Sequence, residues 1–134
     1  MNEIVLDASI ASLWLRPPGS PAAASAQALL KRYEAGQLGV VVPRLLFLEL
    51  LNVAGRRWRW AEVALIDLAT RLEAMLGDVI DPDLGRVASW TARGLTAYDA
   101  TYVALAEERG VPLITHDRQI LAVATGIAQA VDAR

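Results

Sequence analysis

Four carboxylates in this chain, Asp7, Glu49, Asp99 and Asp117, sit where an acid could do more than solvate a surface. Asp7 ends a short apolar run, Ile4-Val-Leu6, and Asp117 stands two residues beyond the end of a second run, Pro112-Leu-Ile-Thr115. In an open parallel α/β sheet, loops and helix N-termini converge beyond the carboxyl ends of the strands, so acids at two such ends meet if the strands are neighbours. Carboxylates gathered in one cleft repel and raise each other's pKa unless a cation holds them ionised. The chemistry expected of such a cluster is binding of a divalent ion that activates water and steadies a phosphate, which makes phosphodiester hydrolysis its natural use.

Each acid also has a plainer reading. Asp7 and Asp117 each precede a helix and can serve as N-caps, and Thr96-x-x-Asp99 has the form of a capping box. Either role fits each of the three. Glu49 differs, because it lies in the middle of Leu45-Leu-Phe-Leu-Glu-Leu-Leu51, too far from either helix end to cap. A carboxylate there needs a partner: a cation such as Arg56, or a metal in a polar cleft. Ser9 and Thr115 stand two residues from Asp7 and Asp117 and could position water, or serve only as local caps.

Composition narrows the choice of ion. The chain has no Cys and a single His, so metal ligands must be oxygens or His116, and oxygen favours magnesium or manganese. His116 is expected to be exposed, or to support a metal ligand from behind, rather than to act as a base, because it falls out of the strand alternation. A net charge of -2 argues against a general nucleic-acid coat, although not against an RNA enzyme whose acids hold metal. No glycine-rich phosphate loop is present, which disfavours nucleotide binding. Arg56-Arg-Trp-Arg-Trp60 reads as a helix end with local Trp packing or a partner contact, and Asp81 and Asp83 as turn and cap residues.

The elements that must position these groups follow from periodicity and punctuation. Strands are expected over 3–7, 38–42, 78–80, 111–115 and 128–131. Helices are expected over 9–15, 21–36, 44–57, 61–76, 84–93 and 96–109, with a short one after Asp117. Arg16-Pro-Pro-Gly-Ser20 is a breaker cluster. This alternation implies one domain over residues 1–134, a three-layer α/β/α sandwich around a mainly parallel sheet. Apolar residues make up 54% of the chain, and the surplus is expected to cover a partner. No apolar run reaches the roughly 18 residues of a membrane span and no signal-like start is seen, so a cytoplasmic protein is expected.

Four segments together resemble the PIN domain, and in particular the toxin halves of VapBC toxin–antitoxin pairs: Ile4-Val-Leu-Asp-Ala-Ser9, Leu48-Glu-Leu-Leu-Asn52, Thr96-Ala-Tyr-Asp-Ala-Thr-Tyr-Val-Ala-Leu-Ala106 and Pro112-Leu-Ile-Thr-His-Asp117. The resemblance runs nearly end to end. It implies that Asp7, Glu49, Asp99 and Asp117 surround magnesium or manganese, with Ser9 and Thr115 as supporting hydroxyls. It also implies an endoribonuclease acting on RNA, typically transfer or ribosomal RNA, through metal-activated water. A homodimer and a cognate VapB-like antitoxin lying in an apolar groove are implied as well, with Trp14, Trp58 and Trp60 as candidates for that groove. Two rival readings are a protein-interaction module whose acids are only caps and ion pairs, and a housekeeping PIN nuclease of RNA maturation.

Overall fold

A computed structural model describes residues 2–16 and 19–133 of the chain. Pro17 and Pro18, at the centre of the expected breaker cluster, lie outside the described residues. Four strands, β1 (Asn2–Leu6), β2 (Leu38–Val41), β3 (Leu113–Thr115) and β4 (Ala128–Ala130), form one sheet in the order β2-β1-β3-β4 with every pairing parallel. The helices are α1 (Ala8–Leu15), α2 (Pro21–Glu34), α3 (Leu45–Asn52), α4 (Glu62–Met75), α5 (Leu84–Ala92), α6 (Ala97–Arg109) and α7 (Arg118–Val123). The result is the three-layer α/β/α sandwich expected from the alternation.

Strand order fixes where the site can lie. The connection leaving β1 runs through α1 and α2 to β2 on one side, whereas the one leaving β3 runs through α7 to β4 on the other. Right-handed crossovers in opposite directions place their helices on opposite faces and open a crevice between the carboxyl ends of β1 and β3. The register pairs Val5 with Leu113 and Leu6 with Ile114, so Asp7 and Thr115 follow side by side into that crevice.

Burial explains why these segments are strands. Ile4, Val5 and Leu6 are fully buried, as a central parallel strand covered on both faces must be. The middle of helix α6 is enclosed in turn: Ala100, Tyr102, Val103, Ala104, Leu105 and Ala106 are all buried. Thr96 caps its start by accepting the Asp99 N–H at 3.1 Å, and Gly110 ends it in the left-handed region at φ 67°. Trp14 is a core residue, its indole N–H donating to the Ala26 carbonyl at 2.8 Å.

Two expected elements differ. The helix expected over 44–57 is α-helical only to Asn52 and continues as a π-helical turn, Val53–Arg57, in which Trp58 N–H reaches the Val53 carbonyl at 3.1 Å. The strand expected over 78–80 contributes only a single bridge from Val79 to Val42, too short a pairing to extend the sheet. Because Leu105 is fully buried in the middle of α6, truncating it to Ala should lower stability by about 2–5 kcal/mol. Urea unfolding should show a lower midpoint with an unchanged slope.

Candidate active site

Asp7 is buried, with 4% of its surface exposed, and begins α1. Both of its oxygens are engaged: Oδ1 accepts the Ser9 hydroxyl at 2.5 Å and the Ser9 N–H at 3.1 Å, and Oδ2 accepts the Thr115 hydroxyl at 2.5 Å. Each hydroxyl spends its one proton on Asp7 and receives a main-chain donor in return. His116 N–H donates to Ser9 Oγ at 2.9 Å, and Asp117 N–H to Thr115 Oγ1 at 3.0 Å. The two hydroxyl oxygens lie 3.4 Å apart. Ser9 and Thr115 therefore join the ends of β1 and β3 through Asp7, a bond across the sheet rather than only a local cap.

The other acids approach from three helices. Asp117 begins α7 and accepts the Ile120 N–H at 2.9 Å. Asp99 lies in the first turn of α6. Glu49 is half-buried on α3 and accepts the hydroxyl of Tyr102, which stands one turn beyond Asp99 on α6. Neither Arg56 nor any other cation partners Glu49 among the described residues, so the ion-pair reading gives way to a phenol. Tyr102 is the site residue that sequence reasoning missed. Its signal was the spacing of three from Asp99, which puts both on one helix face. His116 is exposed, and its main-chain N–H donates to Ser9.

Charge couples the four acids. Burial pushes the Asp7 carboxyl up to about 6, its hydroxyl partners opposing the rise and the Asp99 charge adding to it. Burial also raises Glu49 and Asp99; the Asp99 charge adds to the first and the Asp117 charge to the second. Asp99 is thus the member that senses or is sensed by each of the others. The Tyr102 phenol is pushed up by burial and by Glu49, Asp7 and Asp99. Among the described residues no basic side chain forms an ion pair with these acids. No three His, Cys, Asp or Glu side chains among them stand close enough as placed to enclose an ion. The donor set nevertheless fits a hard cation: it is all oxygen, mutually repelling and without an internal counter-charge.

Asp81 and Asp83 belong to the scaffold. Asp81 accepts the Arg44 N–H at 3.0 Å and Asp83 caps α5 through the Arg86 N–H at 3.2 Å. Trp58 and Trp60 pack on each other with ring centres 5.4 Å apart, and the Arg16 guanidinium lies 5.3 Å from the Trp58 ring. Trp14, by contrast, lines an apolar groove of about 430 Å³ with Leu15, Leu30, Leu68, Leu72 and Met75.

Comparison with known proteins bears on the same arrangement. Over 89 residues, 61% of this chain and 67% of the relative, the sequence is 34% identical to a protein named Exonuclease VapC9 from Pyrobaculum aerophilum. The fold superposes on the crystal structure of PAE2754 from the same organism with a TM-score of 0.69 and 27% identity, covering 98% of this chain and 91% of that one. The family model described as PIN domain matches residues 4–126, from the first buried strand to beyond Asp117, and the chain belongs to the PIN-domain family.

Proposed function

We propose that this chain is a divalent-metal-dependent endoribonuclease and the toxin of an antitoxin-controlled pair. What supports the nuclease reading is the placement of Asp7 and Asp117 beyond the adjacent ends of β1 and β3, with Asp99 near enough to raise Asp7 and Glu49 and no ion-pair partner for the four acids among the described residues. Those four residues would hold magnesium or manganese. When bound, such an ion lowers the pKa of a water and offsets charge on the phosphate under attack.

The chain's own groups do the positioning. Ser9 and Thr115 fix the plane of the Asp7 carboxylate by holding an oxygen each. The N-termini of α1, α6 and α7 bring three of the acids to the crevice and favour their negative charge. Four unneutralised carboxylates would repel an RNA backbone, so binding of the ion should precede productive binding of RNA. The apolar groove beside Trp14 supports the antitoxin reading, with Val63 and Ile66 exposed on α4, one of the helices that line it. Transfer or ribosomal RNA as substrate, and a homodimer, are proposed on the resemblance to toxin halves. No helix among the described residues is long and apolar enough to cross a membrane, and a cytoplasmic site of action is proposed on the resemblance to toxin halves.

A second reading, attack from a chain end, is favoured by the exonuclease name of the Pyrobaculum relative. Circular RNA separates the two, since only an endonuclease opens it. Purified protein should cut RNA with manganese or magnesium and not in EDTA. Asp7→Asn and Asp99→Asn should lower the rate by about 100-fold or more, the scale on which removal of one transition-state-stabilising group acts. Normal cutting by folded Asp7→Asn and Asp99→Asn proteins would reject the site.

Manganese at a hundredfold excess over its dissociation constant should stabilise the folded protein by about 2.7 kcal/mol, raising the melting midpoint. Glu49→Gln should show a smaller rise, and no rise in either protein would favour an interaction module whose acids only cap.

The raised Asp7 carboxyl also sets a pH dependence. Its folded pKa lies near 6 against 3.8 in the unfolded chain, so the folded state holds the proton over that window and stability falls as pH rises through it. The difference corresponds to about 3 kcal/mol at 1.36 kcal/mol per unit. In EDTA the melting midpoint should fall between about pH 4 and 6 and level off above, and Asp7→Asn should flatten that slope.

A further inference from the structure

Glu49 reaches the acid cluster from a separate part of the scaffold. It sits on α3, which packs on α1 and α4, while Asp99 and Tyr102 share α6, which packs on β1 and β3. A glutamate side chain has several rotatable bonds and, left alone at a half-buried position, would sample many directions. The Glu49 carboxylate is held by one bond among the described residues, and its donor is the Tyr102 hydroxyl. Tyr102 is itself only 1% exposed, so the donor cannot turn away to solvent. A phenol offers one proton, and the bond engages Oε1 and leaves Oε2 without a donor among the described residues.

We propose that Tyr102 is the positioning residue for Glu49: its hydroxyl takes up Oε1, ties α3 to the helix that carries Asp99, and leaves Oε2 as the oxygen available to a divalent ion. The role rests on the metal-binding reading given above. It assigns Tyr102 no contact with substrate. Groups that orient a metal-binding side chain from behind typically contribute 10- to 100-fold to metal affinity, which sets the size of the expected effect. The raised pKa of the phenol is consistent with a hydroxyl that donates to Glu49.

The test measures manganese dissociation constants, without RNA, for the wild-type chain, Tyr102→Phe, Glu49→Gln and the double variant, with folding followed by circular dichroism. Tyr102→Phe should weaken binding by roughly 10- to 100-fold. In the Glu49→Gln background the same change should add less than about twofold, because the group it positions is no longer a carboxylate. A Tyr102→Phe affinity within about twofold of wild type, or an equal loss in both backgrounds, overturns the proposal.

A second measurement leaves Tyr102 intact. The chain has three tyrosines, so Tyr33→Phe with Tyr98→Phe makes Tyr102 the sole phenol, and its Cζ can be labelled with carbon-13. Saturating magnesium should shift that resonance, and Glu49→Gln should abolish the shift. An unmoved resonance overturns the proposal even if Tyr102→Phe fails to fold. A wild-type chain that binds no manganese rejects the metal reading and the tyrosine's role with it, whereas wild-type binding left intact in Tyr102→Phe rejects only the latter.

Discussion

Ionising a carboxylate that is 4% exposed is unfavourable, and at Asp7 desolvation outweighs every compensating contact. Two hydroxyls and a main-chain N–H reduce that penalty, and supplying them constrains the rest of the chain. Ser9 has to lie in the first turn of a helix that starts directly after the strand. Thr115 has to end a strand that pairs with β1 in a register placing it beside Asp7. The donors to those hydroxyls come from His116 and Asp117, so the turn out of β3 is fixed as well.

The capping and clustering roles, which compete when the acids are read one at a time, coincide in the fold. Asp7 and Asp117 cap α1 and α7 through their side chains, and the Asp99 N–H is held by Thr96. Helix N-termini attract negative charge, and a crevice at a strand switch point gathers helix N-termini. One geometric arrangement therefore serves local stability and the assembly of an acidic site. Only Glu49, on the flank of its helix, stands outside that economy, and it alone borrows a side-chain donor from another helix.

Much of this was legible in the residues. Short apolar runs such as Ile4-Val-Leu6 and Leu113-Ile114 mark parallel strands because both faces are covered, and Ser20 with Pro21 and Gly110 mark helix ends by their backbone chemistry. The π-helical turn at Val53–Arg57 was not legible, since composition does not distinguish it from a continuing α-helix. Nor was the partner of Glu49, which lies 53 residues away, and no local rule pairs a tyrosine in an alanine-rich helix with an acid on another. The long-range work of Ser9 and Thr115 was hidden for the same reason: spacing suggests a cap, whereas the bond from Thr115 to Asp7 spans 108 residues.

The central place of β1 bears on how the protein is made. β1 precedes both of its partners in the sequence, so its edge toward β3 stays open until β3, followed by Asp117, has been synthesised. A nascent chain still lacking that segment has Asp7, Glu49 and Asp99 but no Thr115 to hold Asp7 and no fourth acid. A chain that stops before β3 therefore lacks part of the proposed site, and an activity that needs all four acids would appear only once that segment has been made.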